Sequence, residues 1–469
     1  MKAASSNLTP IDVQALRVGM FVHLDVGWMS HPFPLSSFKI TSAQQVSTIR
    51  ALGLTRVRWN PEQSDVVAEE PEAGASTALP AAAALPLADG SPALAPAGAP
   101  GPTVAAGAAA SASAAAAAST VVPTNASAPA AAAAARGSVD HRYRLEAERE
   151  ALQLCHRQFR EATRACKQTM DLALLKPQEA RAQAELLSRA LLDKMLGEQE
   201  VCIRLLGETA GDKASAHALN VMVVSLLMGR SFGLGDAELL DLGVGAMLHD
   251  VGKIEMPLRL RHRDVDFTPG EHRDYEEHVA HGLALARRMG LSPGATLVMA
   301  QHHEQADGSG FPLKLNTDRM TAAARIVALV NRYDNLCNPY FLAKALTPHE
   351  SLSLLFAQGK SKYDTTVLGA FIRMMGVYPP GSTVQLTDDR FAIVVSVNSN
   401  RPLKPQVLVH EPKVPRAEAL VLDLETADGI GIRRSIKPAQ LPPAAIEYLE
   451  PRQRVAYFFE PATPLERRP

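Results

Sequence analysis

The alternation of apolar and polar residues divides the chain into a short mixed segment, a long helical middle and a strand-rich end. Residues 19–24 and 55–59 alternate with the two-residue period of a half-buried strand. Residues 42–52, which lie between them, have the period of a short helix. This order of elements predicts a small α+β domain at residues 1–68.

Helical periodicity dominates the middle of the chain, beginning with a charged segment at residues 139–212 that we interpret as a helical connector. Helix starts are clear farther along. Residues 268–271 and 347–350 both place threonine at the cap, proline at the first helical position and glutamate at the third. These signals predict an all-α domain at residues 213–377. Alternating stretches separated by Asn, Pro and Asp then predict a small, mostly β module at residues 378–469.

Composition changes abruptly between the first domain and the helical middle. Of the 63 residues from 73 to 135, 31 are alanine, eight are proline and one is charged. Such a stretch cannot build a packed core, and its prolines interrupt any long helix. We therefore predict a disordered linker at residues 69–138. The predicted fold class is a multidomain protein with a central all-α helical bundle, a small α+β N-terminal domain and a small, mostly β C-terminal module.

Charge and cysteine usage exclude several classes of protein. The 48 basic and 49 acidic residues give a net charge of −1, so no bulk field attracts nucleic acid or an anionic membrane. The most apolar stretch, around residues 221–228, is far shorter than the roughly 18 residues that a membrane span needs. The four cysteines are scattered and include no Cys-x-x-Cys pair, which argues against both disulfides and a thiolate zinc site. We expect a cytoplasmic protein without a membrane span.

Histidine is concentrated in one part of the predicted helical domain, since seven of the 14 histidines lie between residues 249 and 303. His249 and Asp250 end a strongly apolar run. Such a position directs both side chains to the core side of a helix end, where a charged group needs a partner or a metal. His262 and His272 are flanked by charged residues, and we interpret them as surface histidines.

Two further pairs of histidines follow. His278 and His281 are three residues apart on one predicted helix, so they share a face and one or both can be ligands. His302 and His303 are neighbours, and side chains at adjacent helical positions diverge by about 100°. Both can serve one site only where ligands converge from two sides, as at a two-metal centre. A set of His and Asp alone suits Fe, Mn, Ni or Zn better than Ca.

The order of these residues resembles the HD-GYP family, the branch of the HD metal-dependent phosphohydrolases associated with cyclic di-GMP hydrolysis. The resemblance covers residues 214–377. It rests on five ordered motifs: His217; HDVGKI at 249–254; His278 with Gly282; HHEQADGSGFP at 302–312; and ARIVALVNRYDNL at 324–336. Residues 11–65 also resemble the domain of unknown function that often precedes HD-GYP domains. The resemblance thus implies that the central bundle is of the HD type.

The resemblance implies two divalent metal ions, with Fe or Mn expected, that acidify a bridging water and neutralise phosphate oxygens. Asp250 would bridge the two ions and act as a catalytic residue. The ligands that the resemblance implies for the first ion are His217, His249, Asp250 and the residue at the terminal acidic position, Asn331. Those that it implies for the second ion are Asp250, His278, His302 and His303.

The resemblance also implies the residues that meet the substrate. Lys253, one turn beyond Asp250, would act as a catalytic residue and place its charge near the phosphate or the leaving oxygen. Gly308 and Gly310 would allow close backbone approach to the ligand. Phe311 and Pro312 would shape the mouth of the pocket.

Four features depart from the family. Asn331 stands where the family has a metal-binding Asp, so its neutral carbonyl would hold the first ion more weakly. Asp334, one turn further on, is the acid that could compensate. Lys213 stands four residues before His217, where three-metal members have Glu, which favours two ions. Phe311 replaces the Tyr of the Gly-Tyr-Pro signature, and the basic stretch after Asp334 is shortened and contains no arginine.

Three functional hypotheses follow. The leading one is metal-dependent hydrolysis of the second messenger cyclic di-GMP to pGpG, GMP or both in bacterial signalling. The alternative, favoured by Asn331 and the missing arginine, is a catalytically impaired protein that acts as a cyclic di-GMP sensor or signalling scaffold. The third is an HD hydrolase that acts on another nucleotide or phosphoester. The expected ligand is cyclic di-GMP, and the expected protein partners are diguanylate cyclases or other signalling proteins. No nucleic acid is expected to bind. The sequence leaves open whether the protein forms a homodimer.

Overall fold

The computed structural model of the chain describes residues 9–24, 26, 37–65, 128–196, 201–207, 212–262, 266–359, 361–398 and 401–461. Residues 69–127 of the predicted linker lie outside this part of the chain. A helix begins at Ala128, inside the predicted linker. Residues 130–135 are all alanine, the residue with the highest helix propensity, and contain no proline to interrupt the helix.

The N-terminal segment forms a small antiparallel sheet with one helix, as its alternation predicts. The strands in sheet order are β1 (Thr9–Asp12), β4 (Arg56–Asn60), β2 (Phe21–His23) and β3 (Ser37–Lys39). Helix α1 (Ala43–Ala51) lies between β3 and β4 in the chain, and the Ser42 side chain caps it by accepting a hydrogen bond from the Gln45 amide. The buried side chains of Val22, Ile49 and Val57 form part of its apolar interior. The predicted α+β class is confirmed.

The middle of the chain is helical. The long helices that lead into it are α2 (Ala128–Leu172) and α3 (Pro177–Leu196). The bundle itself is made by α4 (Lys213–Ser231), α5 (Asp236–Leu248), α6 (Pro269–Met289), α7 (Pro293–Gln301), α8 (Ala322–Cys337), α9 (Pro348–Gln358) and α10 (Thr365–Met375). Thr268 and Thr347 form the predicted capping boxes, each with the glutamate three residues later. The all-α centre is therefore set largely by local signals.

The end of the chain forms an antiparallel sheet with one short helix, α11 (Pro443–Leu449). The strands are β5 (Val201–Leu206), β6 (Thr383–Leu386), β7 (Phe391–Asn398), β8 (Gln406–Val409), β9 (Val421–Asp423), β10 (Ile432–Ser435) and β11 (Ala456–Pro461). They follow the order β10-β6-β7-β5-β11, and β8 pairs with both β7 and β9. This arrangement confirms a mostly β C-terminal region.

One strand of this sheet comes from the segment interpreted as a helical connector. β5 precedes the helical bundle in the chain, yet it pairs with β7 on one side and with β11 on the other. All six of its residues are buried, so the strand lacks the alternation that marks a half-exposed strand. The connector thus contains a strand as well as helices. The C-terminal sheet is completed by β5, which precedes the helical bundle in the sequence.

The helices and the sheet share one hydrophobic core. Phe159 of α2 and Phe458 of β11 are both fully buried, and their rings meet edge to face with centroids 6.0 Å apart. Asn220 of α4 joins the bundle to the same strand, because its side-chain amide accepts from the Tyr457 amide and donates to the Val455 carbonyl. The last strand is therefore part of the folding unit that contains the bundle.

Phe458→Ala should destabilise the protein by about 3–5 kcal/mol, since it leaves a cavity between α2 and β11. Denaturant unfolding followed by circular dichroism would measure this change. The matched control is Phe356→Ala, because the Phe356 side chain is 54% exposed and its removal should cost far less. If both substitutions lowered the free energy of unfolding by the same small amount, a core shared by the helices and the C-terminal sheet would be contradicted.

Candidate metal centre

Six of the side chains that the sequence predicts for a metal site lie together, five histidines around Asp250. They are carried by α4 (His217), the end of α5 (His249 and Asp250), α6 (His278) and the segment after α7 (His302 and His303). His217, His249 and Asp250 bring one ligand atom each within 4.8 Å of one another, and so do Asp250, His278, His302 and His303. The two groups have Asp250 in common.

The Asp250 carboxylate directs one oxygen to each group. Its Oδ2 lies 3.5 Å from His249 Nε2 and 3.8 Å from His217 Nε2. Its Oδ1 lies 3.5 Å from His278 Nε2 and 3.6 Å from His302 Nε2. A carboxylate arranged in this way has the geometry of a bridging ligand.

Close backbone packing brings these elements together. The 3₁₀ helix Val251–Glu255 follows Asp250 directly and packs against α6. A Cβ atom at Gly252 would overlap the His278 carbonyl oxygen and the Gly282 amide, so only glycine allows this approach. The motif glycine therefore sets the distance between Asp250 and His278.

Hydrogen bonds to the Nδ1 atoms fix the orientation of the imidazoles. Three of the rings place Nδ1 near the carbonyl oxygen of the residue three positions earlier: His249 with Ala246 at 2.7 Å, His278 with Tyr275 at 2.6 Å, and His302 with Met299 at 2.7 Å. A carbonyl only accepts, so we assign the proton to Nδ1 in each ring. Each Nε2 is then left as an unprotonated atom with a lone pair facing Asp250.

The Nε2 atoms also face one another at short distances. His217 Nε2 lies 3.2 Å from His249 Nε2, and His278 Nε2 lies 3.4 Å from His302 Nε2. Two lone pairs at such a distance repel each other unless a cation lies between them. Asp250 Oδ1 and His303 Nε2 are buried without a hydrogen-bond partner in the described part of the chain. Buried polar atoms left without partners are what metal ligation would satisfy, so these residues fit divalent ions.

The electrostatic environment keeps His249, His278 and Asp250 in the protonation states that bind metal. Burial lowers the pKa of His249 to about 4 and that of His278 to about 3, so both rings are neutral at pH 7. Burial alone would raise the pKa of Asp250, but the charge of Lys253 outweighs it and holds the pKa well below its usual value. The neutral imidazoles of His249 and His278 therefore require no deprotonation before a metal binds. At His217, burial alone would lower the pKa, but the hydrogen bond to Asp334 outweighs burial and raises it.

Lys253 is bound to the carboxylate at the middle of the cluster. Its Nζ donates a hydrogen bond of 2.6 Å to Asp250 Oδ2 and lies 5.3 Å from the centre of the Tyr275 ring. Burial alone would lower the pKa of Lys253, but Asp250 and Tyr275 outweigh it and raise the pKa. The structure therefore places the predicted phosphate-binding lysine against the bridging carboxylate, where it neutralises one negative charge.

Asp334 orients His217. Its Oδ2 accepts from His217 Nδ1 at 2.6 Å, while its Oδ1 accepts from the side-chain amides of Asn220 and Asn338, both at 2.9 Å. The arrangement leaves His217 Nε2 directed to Asp250. Ligating histidines commonly donate their other ring N–H to such a carboxylate. The sequence singled out Asp334 as a substitute ligand, whereas this geometry gives it a positioning contact.

Asn331 is also buried on α8, one turn before Asp334. Its Oδ1 accepts a hydrogen bond of 2.6 Å from the Asn335 side chain, which also donates to the Asn331 carbonyl at 2.9 Å. The amide oxygen that the sequence predicts as a ligand is thus engaged within its own helix.

The glycine-rich loop forms one wall of the site. The Phe311 ring stacks on His303 with centroids 4.4 Å apart and lies 6.2 Å from His278. Gly310 is required by its surroundings, because a Cβ there would lie 2.5 Å from the Glu304 Cα and from the His303 carbonyl oxygen. Gly308 has a positive φ of 75°, which favours glycine. The adjacent Pro312 is exposed.

A buried glutamate to which the motifs assign no role holds this loop in place. The Glu304 carboxylate accepts hydrogen bonds of 2.7 Å from the Leu313 amide and 2.8 Å from the Leu315 amide. The signal available in the sequence was its position directly after His302 and His303. A carboxylate that is buried, as Glu304 is, needs hydrogen-bond partners. Glu304 therefore supports the loop that carries Phe311.

Two other histidines have different surroundings from those the sequence suggests. His281 is 42% exposed and lies 3.2 Å from the Glu255 carboxylate, so of the two histidines on α6 only His278 is directed to Asp250. His262, predicted to be a surface histidine, keeps only part of its surface exposed. Its ring is half-buried and stacks on Tyr340 with centroids 4.0 Å apart. Burial and the charge of Lys253 lower the pKa of His262 to about 4.

Family models match two parts of the chain. The model of the HD domain matches residues 199–367, and that of a domain of unknown function, DUF3391, matches residues 8–184. The second match extends past the predicted N-terminal domain, through α2 and into α3. Both domain types suggested by the motifs are thereby confirmed. HD domains are metal-dependent, and the His/Asp cluster is a group of residues that could hold metal.

Curated homologues include cyclic di-GMP phosphodiesterases of several bacteria. One, from Pseudomonas aeruginosa, is 26% identical over 219 residues, which are 46% of this chain and 52% of the relative. A 3′3′-cGAMP-specific phosphodiesterase of Vibrio cholerae is 29% identical over 131 residues, 28% of this chain and 25% of the relative. The chain thus spans no more than about half the length of either. A solved "HDGYP" protein from Bdellovibrio bacteriovorus has 18% identity and a TM-score of 0.35, with coverage of 45% of this chain and 68% of that chain.

Asp334→Asn should weaken Mn²⁺ binding about 10- to 100-fold, because it removes the negative charge that orients His217. Titration of the metal-free protein with Mn²⁺ would measure the change. Asp307→Asn is the matched control, since Asp307 is exposed and bonds to Ser309 in a turn. Unchanged Mn²⁺ affinity in a folded Asp334→Asn protein would show that His217 does not need this carboxylate.

Proposed function

We propose that this HD-domain protein is a phosphodiesterase that hydrolyses cyclic di-GMP to pGpG, GMP or both in bacterial signalling. The observation that carries the proposal is the Asp250 carboxylate, which offers one oxygen to each of two groups of histidine Nε2 atoms. Paired metal sites that share a ligand are suited to phosphodiester hydrolysis. The homologues named as cyclic di-GMP phosphodiesterases support the choice of substrate.

Two divalent ions, Fe or Mn, are proposed as cofactors. His217 and His249 would hold the first with Asp250, while Asp250 would also contribute to the second. The remaining ligands of the second ion would be His278, His302 and His303. The ions would supply Lewis acidity toward the phosphate and an acidified water as nucleophile. The all-His/Asp set supports borderline transition metals over Ca²⁺.

The protein's own residues would prepare the site for this chemistry. Asp250 would fix the spacing of the two histidine groups, and Lys253 would keep that carboxylate ionised. Because Lys253 also carries a positive charge at the edge of the cluster, it would attract the phosphate. Phe311 would exclude water from the side of His303, against which its ring is stacked. The loop glycines would let a ligand approach the backbone closely.

Half-buried His262 and exposed Tyr340 would together give the proposed site an aromatic border. The two rings are stacked, Tyr340 is 48% exposed, and the charges of Lys253 and Asp250 act on His262. Lys213 Nζ lies 5.2 Å from the centre of the Tyr340 ring. An exposed ring with a neighbouring ammonium group suits a nucleobase and its phosphate, since every base has a face that can stack.

A second candidate function is sensing or scaffolding by a catalytically impaired protein. Asn331 favours it, because the neutral amide brings no charge and its Oδ1 is bonded to Asn335. A third candidate is hydrolysis of a different cyclic dinucleotide, which the Vibrio cholerae relative named as specific for 3′3′-cGAMP supports. Measured turnover with each dinucleotide separates these three functions.

We propose a cytoplasmic location, which the four buried, free cysteines support. Among the described helices, none has the length and apolarity required to cross a membrane. Binding of diguanylate cyclases or other signalling proteins and formation of a homodimer stay predictions from the sequence.

The protein reconstituted anaerobically with Mn²⁺ or Fe²⁺ should contain two metal ions per chain and convert cyclic di-GMP to pGpG or GMP. His249→Ala should lose both hydrolysis and bound metal. The matched control is His281→Ala, because His281 is exposed and points to Glu255. Metal analysis and product chromatography would read out both properties. Two bound metals with cyclic di-GMP binding and no product would favour the sensor, and full activity in His249→Ala would contradict the site.

Asn331→Asp should raise Mn²⁺ affinity and turnover, each by about tenfold, if a carboxylate at this position completes the first metal site. Metal titration and initial rates would measure the two effects. Asn316→Asp introduces the same charge at an exposed loop position and should change neither. A folded Asn331→Asp protein with no gain in affinity or rate would sink the assignment of Asn331 as a weakened ligand.

A further inference from the structure

We propose that a second cavity, between α2 and the C-terminal sheet, binds a small amphiphilic anion, with one phosphate or carboxylate head on an apolar body. The inference goes beyond the proposed hydrolysis, because none of the metal-centre residues lines this cavity. We call it the arginine cavity, after the four arginines that line it: Arg149 of α2, Arg204 of β5, Arg416 of the 3₁₀ helix Arg416–Glu418, and Arg452 before β11.

The innermost arginine has a donor that no other residue uses. Arg204 is only 9% exposed, and its Nη1 donates a hydrogen bond of 3.2 Å to Glu460 Oε1. Its Nε–H is buried and finds no acceptor within the described ranges. A buried guanidinium donor without an acceptor is costly, and an anionic oxygen in the cavity would satisfy it.

The other three arginines are exposed and come from separate elements. Arg149 donates to the Ala417 carbonyl, which holds α2 against the segment that carries Arg416. Gly207 lies between His156 and Arg452, because a Cβ there would lie 3.5 Å from the His156 ring and 3.6 Å from Arg452 Nη2. These exposed guanidinium groups therefore border a cavity with Arg204 at its inner side.

Positive charge exceeds negative charge around the cavity. The acidic residues in its lining are Glu148, which accepts a hydrogen bond of 3.2 Å from the Val421 amide, and Glu450, which lies 3.6 Å from Arg452. Burial and the neighbouring arginines lower the pKa of His156, so its ring is neutral at pH 7. With Glu460, which pairs with Arg204, the four arginines still outnumber three carboxylates, and this balance favours an anion over a neutral or cationic ligand.

The rest of the lining is apolar and accounts for the body of the ligand. Aliphatic side chains from α2, the sheet and α11 supply it: Leu145, Leu152, Leu205, Ile393, Leu408 and Leu449. The cavity has a volume of about 320 Å³. Volumes of roughly 300–1,000 Å³ with mostly apolar walls and a few polar groups are typical of small-molecule sites. A bare inorganic anion would leave these walls in contact with water.

The proposal can be tested by calorimetry on the full-length, metal-loaded protein with hexyl phosphate as the probe. Hexyl phosphate should bind wild-type protein, and Arg452→Ala and Arg416→Ala should each raise its Kd about tenfold. Arg204→Lys should raise it similarly, since lysine keeps a charge near Glu460 but lacks the Nε donor. Arg401→Ala is the matched control, because Arg401 is an exposed arginine of the same sheet region that pairs with Glu425.

Further probes separate the parts of the inference. Hexanoate should also bind, whereas hexanol and inorganic phosphate should bind at least tenfold more weakly than hexyl phosphate. Equal binding of hexanol would overturn recognition of the anion, and equal binding of inorganic phosphate would overturn the apolar subsite. Binding should persist in His249→Ala, which lies at the metal centre. Loss of binding there, with retention in the arginine variants, would assign the probe to the metal centre and reject the arginine cavity.

Discussion

The rest of the structure depends on keeping one buried carboxylate, Asp250, ionised among histidines. Removing a charge from water is costly unless partners replace the lost hydration. Lys253 supplies a direct hydrogen bond of 2.6 Å, and the surrounding Nε2 atoms supply positions for cations. The imidazoles of His217, His249, His278 and His302 are each held by a hydrogen bond at Nδ1, so these rings cannot turn to present a proton to another acceptor. The helices of the bundle are arranged to deliver these pre-oriented rings to both oxygens of a single side chain.

The C-terminal sheet takes part in this arrangement through Asp334. Asn220 and Asn338 both donate to the Asp334 carboxylate, and both also bond to the backbone of Val455. Asp334 in turn holds His217. Each such buried hydrogen bond contributes about 0.5–1.5 kcal/mol, and a broken one would leave a donor or acceptor unsatisfied. The chain segment at Val455 therefore helps to position His217, a candidate metal ligand that lies more than 200 residues earlier in the sequence.

The sequence allowed prediction of features that depend on neighbouring residues and of residues that belong to the ordered motifs. The capping boxes at Thr268 and Thr347 involve residues three positions apart, so the helix starts could be identified without knowledge of the fold. β5 could not be identified, because its six buried residues have no alternation and their partners lie in β7 and β11. The stacking of His262 on Tyr340 was likewise hidden, since it depends on a contact between loops 78 residues apart. The histidine-rich motifs indicated which residues converge, while the assignment of one Asp250 oxygen to each group needed the three-dimensional arrangement.

The charge of the proposed centre links the departures from the family to each other. With two divalent ions in place, Asp250 and Asp334 are the carboxylates that contact the site's histidines, and Lys253 offsets one of them. An aspartate at position 331 would add a further negative charge, whereas Asn331 adds none. The centre therefore keeps one more net positive charge, which weakens retention of the ions but strengthens attraction of an anionic phosphodiester. The extra positive charge would attract the substrate phosphate, as would an arginine in the segment after Asp334, which this chain lacks. Substrate attraction and metal retention are thus opposed at Asn331, and the balance between them determines whether such a centre turns over its ligand or only holds it.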